Sequence, residues 1–163
     1  MAEKVYFYIT PESSMSSGRG VDIETQFEGL HYLQCKGLED KGKAKNKYQE
    51  SFADSDTLRV YEPDSIDELC LEPTDITLTL LFVDAVNSEG QITKTRQKVY
   101  DEFFDYVKLG RFYYYDTKRR KEAYISLFEP VKPSEDKYLG STPYIKADFK
   151  FKNLKGCCEY KDN

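Results

Sequence analysis

The sequence predicts a mainly β (α+β) fold: a β-sandwich or partly closed barrel of about seven strands with one packed amphipathic helix. Three observations lead to this prediction. Fourteen tyrosines and ten phenylalanines, with no tryptophan, give an aromatic-rich composition that is typical of strands. Several short segments alternate apolar and polar residues between turn-forming residues. Only one segment, at about residues 93–109, has the period of a helix.

The length and charge of the chain limit its organisation and its partners. With 163 residues, we expect a single domain over residues 1–163. The net charge is −5 and the isoelectric point is about 5.1. Because the neutralisation of phosphates supplies most of the non-specific affinity for nucleic acids, an acidic chain is a poor general nucleic-acid binder. We expect the charged segment 39–56 to be a mobile loop and residues 157–163 to be a frayed tail.

Alternating residues predict strands over much of the first half of the chain. Proline and glycine mark where these segments end or bend. The predicted elements are strands at 4–10, at 21–38 with a bend at Gly29 and at 57–63, a Ser- and Gly-rich loop at 11–20, and one helical turn within 65–73.

The second half begins with the clearest strand, residues 74–85, and continues with the helix. In the helix, Thr93 or Thr95 is a suitable N-cap, and the apolar residues return every three to four positions. A strand at 144–154 follows the loop at 129–143. The residues expected in the core are Ile76, Leu78, Leu80 and Phe82 of the strand and Val99, Phe103, Tyr106 and Val107 of the helix.

The segment GRFYYYDTKRRKEAYISL, residues 110–127, combines tyrosines with basic residues. Its alternation predicts a β-hairpin with a basic tip, because turn residues stand between two strand patterns. Phe112 and Tyr114 would face the core, while Tyr113 and Tyr115 would face another surface. The tip is formed by Lys118, Arg119, Arg120 and Lys121.

A search for catalytic or metal-binding residues finds no supported arrangement. The only histidine, His31, stands four residues before Cys35, and in a regular strand the two would share a face. A zinc site needs three or four ligands, so we expect an ordinary histidine here. We expect no catalytic residue, no cofactor and no metal, and a protein that is not an enzyme. The four cysteines are expected to be free thiols, and we expect neither a signal peptide nor a membrane-spanning helix.

Residues 73–156 resemble the tail proteins of long-tailed phages and prophages, and more narrowly the tube-like domain of the distal tail (baseplate hub) family. The resemblance lies in the order of elements and in loose residue types: a strand, a helix carrying aromatic residues, a Gly-Phe-Tyr strand, a return strand, a loop and a final strand. These positions are occupied here by Ile76 to Phe82, Val99 to Val107, Gly110 to Asp116, Ala123 to Phe128, and Tyr144 to Gly156.

The resemblance implies a structural protein that assembles with copies of itself into a ring, commonly a hexamer, around a central channel through which DNA passes. Neighbouring subunits would join their sheets edge to edge and would contact other tail proteins. The protein would be made in the bacterial cytoplasm and end in the virion tail, with no membrane partner. Two features depart from the family: segment 39–72 does not align with the long hairpin that tube proteins use for stacking, and no second domain is evident. A tail terminator or another connector therefore remains possible.

Within such a ring, two groups of residues have expected roles. Asp22, Glu24 and Gln26, on one face of the predicted strand, would line the channel and repel DNA. Tyrosines and basic side chains suit subunit contacts. The candidate subunit-interface residues are Tyr113, Tyr115, Lys118, Arg119, Arg120 and Lys121.

Two other classes of function stay open. One is a module that binds single-stranded nucleic acid, stacking bases on Tyr113 and Tyr115 and contacting phosphates through Arg119 and Arg120. The other is a carbohydrate-binding module or an enzyme on a β-sandwich, with aromatic side chains against sugar rings. Fold alone does not separate these classes from an assembly protein.

Overall fold

The computed structural model describes residues 7–11, 22–51, 58–65 and 69–161. β-Strands are the main secondary structure of the described chain, and they form one large sheet and two small two-stranded sheets. Two helices accompany the sheets. The elements are β1 (Phe7–Pro11), α1 (Ile23–Gln26), β2 (Leu30–Lys36), β3 (Tyr48–Ser51), β4 (Leu58–Tyr61), β5 (Thr74–Val83), β6 (Ala85–Val86), β7 (Ile92–Lys94), α2 (Arg96–Val107), β8 (Phe112–Asp116), β9 (Lys121–Leu127), β10 (Lys137–Leu139), β11 (Thr142–Asn153) and β12 (Glu159–Tyr160).

The large sheet is antiparallel and has the order β1-β8-β9-β11-β5-β2. Its centre is the pair β5–β11, which runs in unbroken register from Thr74–Asn153 to Val83–Tyr144. β11 also pairs with β9 near its C-terminal end and with β10 near its N-terminal end, while β12 pairs with β9. The two longest strands therefore form the centre of the sheet.

The sheet curls into a half-barrel. This confirms the partly closed barrel, one of the two architectures that the sequence predicted. Tyr114 of β8 perturbs the pKa of both Tyr32 and Cys35 of β2. Three strands separate β8 from β2 in the sheet order, so these side chains meet across the interior. Helix α1 contacts both end strands, β1 and β2, and so lies at the seam of the half-barrel.

The core fills the concave face of the sheet, and α2 covers it. Inward-facing residues alternate along β5, β8, β9 and β11, as the period of a strand requires. Aromatic rings form the contact with the helix: Phe103 meets Phe149 edge-to-face at 5.0 Å, and Tyr100 meets Phe82 at 5.3 Å. This aromatic packing holds α2 against the central strands.

Helix α2 confirms the prediction of one packed amphipathic helix at about residues 93–109. Thr95 is its N-cap and accepts a hydrogen bond from the Lys98 N–H at 3.4 Å. Val99, Tyr100, Phe103 and Val107 are buried, whereas Tyr106 of the expected stripe is half-buried at its edge. The cap and the apolar stripe explain both the start of the helix and its orientation.

Arg96, the first residue of α2, ties three segments together. Its Nε and Nη2 atoms bind the two oxygens of Asp136 at 2.8 and 2.7 Å. Its backbone N–H and its Nη1 atom bind Asp84, just after β5, at 2.7 and 3.2 Å. The end of β5, the start of the helix and the loop before β10 are thereby joined through one guanidinium.

The strand predicted at 21–38 is correct in its second part, which forms β2, but wrong before Gly29, where Ile23–Gln26 form α1. Asp22 is its N-cap: the carboxylate accepts the Glu24 N–H at 3.0 Å, and the backbone carbonyl accepts the N–H groups of Thr25 and Gln26. Ile23 is fully buried. A helix of one turn is too short to show a 3.6-residue period, so an alternating pattern was read as a strand.

Three further segments differ locally from the sequence interpretation. The charged segment 39–56 contains β3, the loop 129–143 contains β10, and the tail 157–163 contains β12. Each of these strands is short and is held by a neighbour of clearer pattern, which explains why periodicity missed it. The mobility of 39–56 and the single-domain boundary stay predictions. The loop 11–20 lies outside the described residues apart from Pro11, and the helical turn within 65–73 does so in part.

Segments 43–51 and 58–72 form an interrupted two-stranded arm, described except for residues 66–68. At its base Ala44 bridges Leu71, and the N–H groups of Lys45 and Glu72 donate across to Cys70 and Lys43, both at 2.8 Å. Further along, β3 pairs with β4 in a sheet of their own. The strand predicted at 57–63 is thus confirmed by β4, while the charged segment 39–56, predicted as a loop, contributes the strand β3 that pairs with it.

Two glycines hold the base of this arm against the large sheet. The Gly42 N–H donates to the Gly156 carbonyl at 2.7 Å. A Cβ atom added to Gly42 would lie 1.8 Å from the Glu72 carbonyl oxygen, and one added to Gly156 would lie 2.4 Å from the same oxygen. Only residues without a side chain allow the three backbones to approach this closely.

Candidate assembly surface

The β8–β9 hairpin, predicted from the sequence, is closed by the pair Asp116–Lys121 and turns through residues 117–120. Asp116 is only 3% exposed and accepts the Arg119 N–H at 3.0 Å. Arg120 has φ +53°, a left-handed conformation that ends the turn. The carboxylate at the end of β8 thus organises the basic tip.

Part of the positive charge at the tip is compensated within the subunit. Arg119 lies with its Nε atom 3.7 Å from Asp116. Lys121 forms an ion pair with Glu39, and this pair raises the pKa of the lysine. Lys118 is exposed in the turn. An acidic partner would therefore meet Lys118 first, while Arg119 and Lys121 already have acidic neighbours.

The tyrosines of β8 divide between the two faces as predicted. Tyr113 and Tyr115 are half-buried on the outer face, while Tyr114 is fully buried. Tyr113 contacts its cross-strand partner Tyr124, with ring centres 5.1 Å apart. The Tyr124 hydroxyl accepts a hydrogen bond from Arg111 at 3.3 Å, and the Lys155 ammonium lies 6.0 Å from the centre of its ring. Aromatic and cationic groups thus cover the outer face of the hairpin.

Lys155 links this outer face to the C-terminal strand. Its ammonium binds Glu159 at 3.0 Å, which raises the pKa of the lysine and lowers that of the carboxylate. The Lys155 charge is therefore shared between the carboxylate and the tyrosine ring. This face combines partly neutralised cations with rigid tyrosines, a residue type that is enriched at protein interfaces.

Large apolar side chains are exposed at other places, which the sequence analysis did not select. Tyr138 and Leu139, on the edge strand β10, are 67% and 77% exposed. Leu109 and Phe128, near the other end of the hairpin, are 78% and 65% exposed. The sequence signal for β10 was available, because an apolar pair stands directly before the turn at Gly140, whose φ is +64°.

Three titratable side chains inside the barrel have strongly perturbed pKa values. Burial raises the pKa of Cys35 to about 11 and that of Tyr32 to about 12, and it raises that of Tyr114 well above its usual value. A thiol in this state is protonated at neutral pH and is a poor nucleophile. The group is a polar patch in the core with little intrinsic reactivity.

His31 and Cys35 point to opposite faces of the sheet. The register between β2 and β5 shifts between Tyr32 and Gln34, which marks a β-bulge. His31 is therefore exposed and Cys35 buried, and the expectation that they share a face is wrong. Among the described residues, no group of three or more His, Cys, Asp or Glu side chains is placed to hold a metal ion.

The acidic row expected to line a channel does not form on a strand. Asp22 is buried and caps α1, and the Glu24 carboxylate accepts the Tyr32 N–H at 2.8 Å. Gln26 is exposed. The Asp22 carboxylate caps α1 and the Glu24 carboxylate joins α1 to β2, so the geometric basis of this expectation is lost. Within the described part of the chain, no helix is long and apolar enough to cross a membrane.

No protein-family model matches the chain, and no curated protein matches it. Among solved structures, the fold is similar to that of the Dit protein (gp 19.1) of phage SPP1, described as a hub adsorption apparatus of phages that infect Gram-positive bacteria. The TM-score is 0.46 and the sequence identity is 11%. The match covers 88% of this chain and 49% of the Dit chain, so this chain spans about half the length of that protein.

Proposed function

We propose that this chain is a structural protein of a phage or prophage tail and assembles into a ring around a central channel. The observation that carries the proposal is the order of elements from β5 to β11. A long strand, an aromatic helix, the hairpin β8–β9, a loop and a long final strand follow one another, and β11 returns to pair with β5. This is the order that the distal tail family, which residues 73–156 resemble, would lead one to expect.

The subunit contact is proposed at the hairpin and at β10. The outer face around Tyr113, Tyr115 and Tyr124 offers stiff amphipathic rings, and Lys118 offers a charge that selects an acidic neighbour. β10 adds an edge strand with two exposed apolar side chains. The seam between β1 and β2 is a less suitable edge, because α1 lies there.

The two-stranded arm supports an additional contact between stacked rings. It belongs to a sheet separate from the large one, and Val60 on β4 is exposed. Tube proteins of the family use a long hairpin for stacking, and the arm is the element of this chain that suits the same task. The hexameric ring number and the passage of DNA remain parts of the proposal.

The test is the mass of the purified chain by light scattering over a concentration series, with negative-stain imaging of the largest species. We expect the mass to rise to that of a ring with a central hole. Lys118→Glu should weaken assembly, because it places an acid against the proposed acidic neighbour. Lys98→Glu, which makes the same change at an exposed position on α2, should leave assembly unchanged.

Two outcomes would contradict the proposal. A monomer at all concentrations that retains single-stranded oligonucleotide in a salt-dependent way would favour the nucleic-acid module. A monomer with saturable glycan binding would favour the carbohydrate module. Equal assembly of Lys118→Glu and the unchanged protein would remove the hairpin tip from the interface while leaving the ring itself standing.

A further inference from the structure

Two polar side chains face each other inside the barrel at one end of its central strands. Asn153 is the last residue of β11 and Thr74 the first of β5, and the two are direct partners in the register. Such partners have Cβ atoms about 4.5–5.5 Å apart on the same face of a sheet. Asn153 is 0% exposed. The residue opposite it on the other side, Ile125, is equally buried and apolar.

Three atoms of this pair lack a hydrogen-bond partner among the described residues: Asn153 Nδ2, Asn153 Oδ1 and Thr74 Oγ1. The removal of such an atom from water without a compensating hydrogen bond is unfavourable. The other inward positions of β11 are apolar, so Asn153 replaces a hydrophobic side chain in the core pattern. Because buried polar atoms are normally hydrogen-bonded, the unpaired amide nitrogen and oxygen of Asn153 indicate a small ligand between this side chain and Thr74.

We propose that Asn153 and Thr74 hold one buried water molecule. A water accepts a hydrogen bond from the amide Nδ2–H and donates one to the threonine hydroxyl or to the amide oxygen, and buried waters make about three such bonds. The pair offers a matching set of donors and acceptors. It carries no charge, so the chemistry selects a neutral donor-acceptor molecule over a cation or an anion.

The neighbouring backbone covers this site and connects it to the base of the arm. The Gly156 N–H donates to the Asn153 carbonyl at 3.1 Å, so the chain turns back over the end of β11. Gly156 in turn lies against Glu72, two residues before Thr74 at the base of the arm. The water therefore joins the start of β5 to the end of β11, next to the base of the arm. It stabilises these two strand ends, against which the arm is held.

The first experiment is a crystal structure of the unchanged protein at a resolution that shows ordered water. The expected result is one density peak within about 3.2 Å of both Asn153 and Thr74. A direct hydrogen bond between the two side chains, or an apolar void with no density, would overturn the proposal. This experiment needs no variant and so does not depend on the folding of a mutant.

A second experiment measures the coupling in solution. Thr74→Val and Asn153→Leu should each lower the melting temperature, and the double variant should lose less than the two shifts added together, because the bridge is lost only once. Amide exchange at residues 43–47 should accelerate on the order of tenfold in each single variant. Thr77→Val, on the outer face of the same strand, is the matched control and should leave this exchange unchanged. Strictly additive shifts with unchanged exchange would contradict a shared water.

Discussion

Single residues inside the barrel show how burial suppresses chemistry. Cys35 is buried beside Tyr114, while Cys70 is exposed on the arm. Burial disfavours the thiolate, which is the reactive form. The difference between the two residues is therefore one of environment, and it can be measured directly.

We predict that iodoacetamide labels Cys70 much faster than Cys35 at pH 8. The ratio should be on the order of 100-fold or more, because Cys35 reacts only when the barrel opens. Peptide mass spectrometry at timed quenches measures both rates in one sample. Denaturant provides the control, since unfolding should make the two rates equal. Similar rates in the native protein would mean that β2 does not close over Cys35.

We predict that the protein loses stability at alkaline pH partly through Cys35. Its pKa is raised from 9.0 to about 11 in the folded state, so its contribution is fully present below pH 9 and is lost as the pH rises through 11. The loss from this residue is at most about 2–3 kcal/mol. Urea unfolding of Cys35→Ala should show a flatter decline of the free energy of unfolding between pH 9 and 11. Cys70→Ala should follow the unchanged protein, and an equally steep decline in Cys35→Ala would refute the assignment.

The Asp116 carboxylate fixes the turn of the hairpin by accepting the Arg119 N–H. We predict that Asp116→Ala lowers the free energy of unfolding by about 2 kcal/mol. The substitution removes the acceptor of the Arg119 N–H and the nearby counter-charge of Arg119. Asp105→Ala on α2 is the matched control. Its exposed pair with Lys108 should contribute at most about 0.5 kcal/mol. Chemical denaturation of both variants measures the difference, and equal losses would show that Asp116 has no special role.

The residue scale also shows why some site predictions failed. Periodicity placed Tyr113 and Tyr115 correctly on the outer face, since β8 is regular. It placed His31 and Cys35 wrongly, because a bulge adds one residue and reverses the facing of all that follow. The ion pair between Lys121 and Glu39 joins residues 82 positions apart, and no local pattern contains such a contact.

The length of an element decided whether its type could be predicted from the sequence. β5 and α2 carry many repeats of their period, so their type and faces followed from the pattern. α1 has a single turn and was missed, although Asp22 is a good N-cap residue and was available as a signal. Half of the arm, β4, followed from the strand predicted at 57–63, whereas β3 was missed because the charged segment 39–56 shows no continuous alternation.

At the base of the arm, we predict that Gly42→Ala destabilises the protein by at least about 2 kcal/mol. The new methyl group would collide with the Glu72 carbonyl oxygen, which belongs to the backbone and has little room to move. Gly90→Ala is the informative comparison, because Gly90 has φ +80° but no atom within 4 Å of the added Cβ. It should cost only the strain of a left-handed residue, about 1 kcal/mol. Thermal unfolding ranks the two, and the reverse order would contradict the close packing of the arm.

The guanidinium of Arg96 acts at the level of elements, since it joins α2 to the loop before β10. We predict that Arg96→Lys accelerates proteolytic cleavage within residues 129–136, because a lysine cannot bind Asp136 through two parallel hydrogen bonds. Lys98→Ala, on an exposed face of the same helix, should leave the cleavage rate unchanged. Limited proteolysis with mass spectrometry measures both, and an unchanged pattern in Arg96→Lys would show that the loop is held by other contacts.

For the whole molecule, the fold class and the partial closure of the sheet followed from the sequence, while the position of α1 did not. A curled sheet was expected from the number of strands and the single helix, and the half-barrel has that form. The position of α1 at the seam depends on β1 and β2, which lie at opposite ends of the strand order. Contacts of this kind arise only when the sheet curls. They depend on the folded chain as a whole, so no local sequence pattern contains them.

The strand order also dictates when the molecule can form during synthesis. β1 pairs with β8 across more than 100 residues of chain, and β5 obtains its main partner only when β11 has emerged from the ribosome. Until then, the nascent chain presents β1 and one edge of β5 without their partners, and unpaired edges favour misassembly with other chains. Folding must therefore be largely post-translational, and a truncation before β11 should yield an aggregating product instead of a smaller stable domain.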